Sequence, residues 1–231
     1  LGADVVVVEP PGGATGRRLE PFLDNKPGLE RSLTWQALNR NKRGITLNLD
    51  VIDGRELLES ITSKFDVLLE STPTGASPTV GEQIRLRPEM IHCVLHPFFA
   101  GGPKAQYLQS DLVMMAASGS LGMSGEPDRP PLQFPFPQAM MEAGAEAAIA
   151  VLAALNARDK DGAGQQAVVS VRLAAMVSAF STPVVIGSGN PETPRSAGGS
   201  VIAGVSVPNI YPCRDGYAVA VTAFGSAWGP M

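Results

Sequence analysis

The feature that most constrains this chain is Val5-Val6-Val7-Val8, four β-branched residues in a row, broken at once by Glu9-Pro10-Pro11-Gly12-Gly13. A run that is apolar on both faces reads as a strand buried on both sides, which is the habit of parallel sheets, and the prolines and glycines put a loop at its carboxyl end. Parallel strands need crossover connections, usually helices. The sequence continues in that pattern. Gly44 to Leu49 reads as a second short strand, and Asp53 as the N-cap of a helix over Gly54 to Thr62 with Leu57, Leu58 and Ile61 on one face. Phe65 to Glu70 and Met90 to Leu95 read as further strands, separated by a Pro/Gly/Ser/Thr loop over Ser71 to Gly81 and a short helix. Strands alternating with helices predict an α/β fold with a parallel sheet.

Farther along, a helix is expected from Ser110 through Met115 to the small residues Ala116 to Gly119, with Ser110 or Asp111 near its start. The proline-dense stretch Glu126 to Pro137 reads as extended, and Ala139 to Arg158 as the clearest helix, ending at Asp161-Gly162. Ala167 to Val171 alternates as a strand does, and Leu173 to Phe180 suits a helix. Gly, Ser and Pro crowd Gly187 to Gly204, a linker by composition. Beyond it, Asn209 to Pro212 and Tyr217 to Val221, joined by Arg214-Asp215-Gly216, read as a hairpin.

Composition excludes more than it assigns. With 44% hydrophobic and 17% charged residues and a net charge of −4, the chain reads as a soluble globular protein with no basic footprint for nucleic acid. No apolar run approaches the roughly 18 residues of a membrane span, so no membrane partner is expected. Cys93 and Cys213 stand far apart without CxxC spacing or a His/Cys cluster, which argues against structural zinc or a disulfide framework and fits a reducing, cytoplasmic setting. The opening at Leu1 directly before the first strand, and the close at Trp228-Gly229-Pro230-Met231 directly after a strand-like run, predict a chain cut short at both ends.

Three local clusters stand out as chemistry. Pro10-Pro11-Gly12-Gly13 followed by Arg17-Arg18 brings two guanidinium groups to the carboxyl end of a strand, where open α/β sheets bind ligands; the alternative is a solvated surface loop. Asn39-Arg40-Asn41-Lys42-Arg43 suits a phosphate or an adenine ring, or is a solvated charge run. Gly101-Gly102-Pro103 leads to Ser110-Asp111-Leu112, where a carboxylate among apolar neighbours at a helix start is either a nucleophile or a cap. His92 and Cys93 point to opposite faces of their strand and so form no couple, whereas His96 lies just past the strand at the ligand-binding edge.

Taken in order, these segments resemble the class III CoA-transferase family. Leu1 to Gly13 is similar to its "LGADVIKVEPPGG" signature, and Asn39 to Leu47 to its "NRNKRSITL". Asp66 to Glu70, Ser110-Asp111-Leu112, Ser124 to Pro131 and Asp215-Gly216-Tyr217 fall where the family has "DVLVEN", "YDL", "TGEPDGPP" and "DGY". The resemblance implies a Rossmann-like large domain with a parallel sheet over residues 1–186, a linker over 187–207, and the beginning of a smaller α+β domain over 208–231. It implies transfer of CoA from an acyl-CoA to a carboxylic acid through a covalent intermediate on Asp111, with coenzyme A as substrate and no metal. Arg17, Arg18, Asn41, Lys42 and Arg43 would then hold the nucleotide and its phosphates, Ser71 and Thr72 would line the nucleotide cleft, and His96 would contribute to the pocket. A homodimer is also implied, interlocked in full-length members. Gln109-Ser110-Asp111 stands where the related racemases carry "GHD", which points away from racemisation. The alternatives are an acyl-CoA racemase or isomerase, or a non-catalytic CoA-binding subunit of a larger enzyme.

Overall fold

The computed structural model describes residues 2–126, 128–178, 199–202, 205–208 and 210–219. By its internal contacts the chain divides into two compact units, Leu1–Leu68 with Val80–Met90, and Leu69–Thr79 with Ile91–Met231.

In the first unit the valine run forms β1 (Val6–Glu9), which pairs in parallel with β2 (Arg43–Thr46) in the register Val6↔Arg43 to Glu9↔Thr46. The connection carries α1 (Leu33–Leu38), whose N-cap Ser32 accepts a hydrogen bond from the Trp35 N–H at 3.1 Å. β2 is shorter than predicted, although the Leu47 N–H still reaches the Glu9 carbonyl at 2.9 Å. The next helix, α2 (Ile52–Thr62), corrects one expectation: Val51 is the N-cap, without a side-chain bond, and Asp53 sits inside the first turn, where its charge faces the positive end of the helix. Gly54 is fixed by close approach, since a Cβ there would fall 1.8 Å from the Asn48 carbonyl oxygen.

The second unit is built on a three-stranded sheet in the order β3 (Val67–Ser71), β4 (Ile91–His96), β5 (Gln166–Ser170). β4 and β5 are parallel, from His92↔Gln166 to His96↔Ser170. Every residue of the central strand β4 is buried, as a strand covered on both faces requires. Against it pack α3 (Asp111–Ser118), α4 (Gln138–Asp161) and α5 (Val171–Ser178), in a core that holds Cys93, Leu95, Phe98, Met114, Met115, Val171 and Ala175. Complete burial of a side chain such as Met114 is worth about 1.5–3 kcal/mol. Ala139, Ala143 and Ala147, each four residues apart and at most 1% exposed, make one stripe of small side chains on which α4 approaches the core closely.

By length and composition α4 could cross a membrane, contrary to the expectation drawn from contiguous apolar runs. Its alanine stripe is core, while Met141, Ile149 and Leu152 on other positions are 48%, 61% and 53% exposed. The helix stops at Gly162, whose φ of 76° places it in the left-handed region and turns its N–H back to the Arg158 carbonyl at 2.7 Å.

Two antiparallel pairs follow. β6 (Gly199–Ile202) and β7 (Val205–Pro208) pair within the stretch read as a linker, and β8 (Ile210–Cys213) and β9 (Gly216–Val219) form the expected hairpin around Arg214-Asp215. The remainder of the predicted linker, and residues 220–231 of the predicted small domain, lie outside the described residues.

Candidate active site

The helix start that the sequence left open between two residues is divided between them. Ser110, in extended backbone (φ −145°, ψ 160°), caps α3 by accepting from the Val113 N–H at 3.2 Å. The carboxylate of Asp111 is therefore free of its own helix. It reaches instead to the start of α4, where its Oδ1 accepts from the Met140 N–H at 3.3 Å and the Ala139 and Gln138 N–H groups also donate to it. The N-cap position of α4 is Pro137, which offers no side-chain acceptor, so Asp111 caps that helix from another element.

The second carboxylate oxygen, Oδ2, is buried and has no hydrogen-bond partner. Burial pushes the Asp111 carboxyl above its ordinary value; the three backbone N–H groups oppose this, and the nearby Glu142 charge adds to it. The helix dipole alone would predict the reverse, and desolvation outweighs it.

Two further orphan acceptors belong to the same helix starts. Glu142, one turn into α4, accepts from Gln138 Nε2 at 2.5 Å through Oε1, while its Oε2 is buried and unpartnered. Gln109, two residues before Asp111, donates from Nε2 to the Thr72 carbonyl at 3.2 Å and leaves Oε1 buried and unpartnered. Thr72, 3% exposed, is hydrogen-bonded through its Oγ1 to Nδ1 of His96 at 2.7 Å. Thr72, His96 and Gln109 thus form one connected group just beyond the carboxyl ends of β3 and β4, the edge at which such sheets bind ligands. Ser71 is the exposed last residue of β3, not the first of a loop.

Neither Glu142, Gln138 nor Gln109 stood out in the sequence as a site residue. The available signal was Gln138 and Glu142 at helical i, i+4 spacing directly after Pro137, a helix start with no capping side chain of its own.

The cationic candidates fall in the first unit, and the structure does not gather them. Arg17 is committed: its Nε and Nη2 bind the Glu9 carboxylate at 2.6 and 2.7 Å, its Nη1 reaches Glu30 at 2.9 Å, and its guanidinium lies 4.7 Å from the centre of the Trp35 ring. This pair holds the Glu9 carboxyl below its ordinary value and raises Arg17. Arg18 binds only carbonyls, those of Gly12, Gly13 and Ala14, and remains exposed. Because β1 and β2 run parallel, Asn41, Lys42 and Arg43 lie at the amino end of the pair, whereas Gly12, Arg17 and Arg18 lie past the carboxyl end. A four-residue strand separates those ends by about 10–13 Å. Arg43 is paired with Asp4, and Lys42 Nζ with Asn39 Oδ1 at 3.0 Å.

His92 and Cys93 do point apart. His92 Nε2 lies 2.5 Å from Glu70 Oε1, and the Cys93 thiol is wholly buried in the core, which raises its pKa. Cys213, by contrast, is exposed in the C-terminal hairpin.

The model of the CoA-transferase family III matches residues 1–228. The chain belongs to that family. Among its relatives is the succinyl-CoA:(R)-benzylsuccinate CoA-transferase subunit BbsE of Thauera aromatica, 32% identical over all of this chain and 57% of that protein. A formyl-CoA:oxalate CoA-transferase of Streptomyces avermitilis is 33% identical over 76% of this chain and 43% of its own length. The crystal structure of a CAIB/BAIF family protein from Brucella suis superposes with a TM-score of 0.76 at 29% identity, covering 94% of this chain and 58% of that one. This family III chain thus spans about half the length of the relatives it matches.

Proposed function

We propose that this chain takes part in the transfer of CoA from an acyl-CoA to a carboxylic acid, and that Asp111 forms the covalent intermediate. The family and the CoA-transferase names of its relatives support the reaction class. The observation that carries the residue is the Asp111 carboxylate, with one oxygen held by backbone N–H groups at the start of α4 and the other buried without a partner.

In the proposed sequence a carboxylate oxygen of Asp111 attacks the thioester carbonyl, forming a mixed anhydride and expelling CoA thiolate. The thiolate attacks the aspartyl carbonyl, forming an aspartyl-CoA thioester and releasing the donor acid as its carboxylate. The acceptor carboxylate attacks that thioester and expels thiolate again, and the thiolate then takes the acceptor acyl group, restoring the Asp111 carboxylate. Backbone N–H groups at the α4 start are placed to offset the negative charge on oxygen along the way. Arg18 is the cation at the carboxyl edge of β1 that remains for the CoA phosphates, and Thr72 and His96 would border the cleft.

A second reading is favoured by two observations: the relative matched over this whole chain is named as a subunit, and Asp111 already has a structural duty as the cap of α4. In that reading the chain binds CoA beside a second polypeptide that carries the covalent chemistry. Asp111→Asn decides between them, assayed for transfer and for hydroxylamine-sensitive labelling by radiolabelled acyl-CoA. Loss of both transfer and label, with CoA still bound, supports the aspartyl intermediate. Retention of transfer at the normal rate overturns it and favours the subunit reading.

A further inference from the structure

The two acidic residues at the start of α4 sit in a setting that their own helix does not explain. Asp111 comes from α3 and Glu142 from the second turn of α4, and each has one carboxylate oxygen that is buried and receives no hydrogen bond. Two buried carboxylate oxygens without donors cost free energy that their partnered oxygens do not recover. The residue between them is Gln138. Its backbone N–H donates to Asp111, and its side-chain Nε2 donates to Glu142 Oε1 at 2.5 Å, so one glutamine is bound at both ends by the two acids.

From this arrangement we infer that Glu142 is a positioning residue for Asp111: it anchors Gln138 at the first position of α4, and its charge sets the pH at which Asp111 ionises. The other charged groups on the surrounding elements are few. α3 carries none besides Asp111, α4 adds Glu146 one turn farther on, α5 carries Arg172, and β4 ends at His96. Of these, Glu142 is the one whose charge weighs on Asp111, in the direction that favours the protonated acid. For a carboxylate that must attack as an anion, such a neighbour places an acid limb on the reaction, and Glu142 determines where that limb falls.

The functional consequence rests on Asp111 being the working carboxylate, but the coupling itself does not, and the two are separable. The test is carbon-13 NMR of the full chain labelled at aspartate side-chain carboxyls, with the Asp111 signal assigned by its loss in Asp111→Asn. Glu142→Gln keeps an amide oxygen to accept from Gln138 and removes only the charge. The Asp111 titration midpoint is expected to fall by roughly half a pH unit or more. An unchanged or raised midpoint overturns the inference, whatever the activity of Asp111→Asn. Should Glu142→Gln yield no folded protein, Gln138→Leu decides by the same readout: it releases Glu142 from its anchor, so the midpoint again falls, and constancy overturns the inference. In transfer assays Glu142→Gln is expected to move the acid limb of kcat/KM to lower pH in step with the NMR midpoint, a shift that lost packing alone does not produce.

Discussion

Asp111, the first residue of α3, accepts a hydrogen bond from the backbone N–H of Met140 at 3.3 Å, so a single carboxylate joins the starts of two helices. Removing its side chain therefore has a structural cost separate from any chemistry. Asp111→Ala is expected to destabilise the fold by about 1 kcal/mol through the lost cap, read from urea denaturation. Asp111→Asn retains a carbonyl acceptor and relieves a buried charge. Because the folded carboxyl titrates above the unfolded value of 3.8, its stabilising contribution is present below that value and is lost as pH rises through the folded one. Wild-type stability relative to Asp111→Asn should accordingly decline as pH climbs from below 3.8 toward neutrality, and a flat difference would count against the raised value.

The two adjacent arginines should separate cleanly. Arg17→Ala strands the Glu9 carboxylate, which is 6% exposed, and is expected to cost about 3 kcal/mol in chemical denaturation. Since Glu9 titrates below its ordinary 4.5, that stabilisation is present above 4.5 and fades as pH falls toward the folded value, so the two proteins should converge in acid. Arg18→Ala is expected to leave stability within about 0.5 kcal/mol and to raise the KM for acyl-CoA about tenfold, the loss of one charge-assisted contact to phosphate.

Thr72→Val removes the hydroxyl that pairs with His96 while keeping the shape of the side chain. His96 is 6% exposed, so its unpaired ring nitrogen should cost about 1–3 kcal/mol, and Thr72→Ser should restore most of it. Equal stability of Thr72→Val and the wild type, by calorimetry, would remove this bond from the account of the site.

Gly54→Ala sets helix propensity against space. Alanine favours a helix by about 1 kcal/mol over glycine. The new Cβ would, however, meet the Asn48 carbonyl oxygen at 1.8 Å, which only backbone movement relieves. The expected result is a net loss of roughly 2 kcal/mol or more and a lower Tm.

How much of this was legible in the sequence depended on whether a feature is local. The valine run named β1, and the alanine-rich stretch named α4, because strand and helix periods are written in consecutive residues. The start of α3 was legible too, but not the assignment of the cap to Ser110 and the reach of Asp111 to Met140, which is a contact across 29 positions. Likewise Arg17-Arg18 and Asn41-Lys42-Arg43 look equivalent as charge clusters. Only the parallel register of β1 and β2 shows that they stand at opposite ends of the pair. Glu9 hid the role of Arg17 for the same reason: the partner of a buried charge is set by the tertiary fold, eight residues away in sequence and 2.6 Å in space.

The contrast between the two cysteines has a practical consequence. Cys93 is sealed in the core and its thiol is held protonated by burial, whereas Cys213 is exposed at the turn of the β8–β9 hairpin. With no other cysteine in the chain, a maleimide dye added to the folded protein marks one place, and that place is the C-terminal hairpin. The protein thus carries its own single-site label for following that hairpin by fluorescence when CoA or a companion polypeptide is added, with no residue changed.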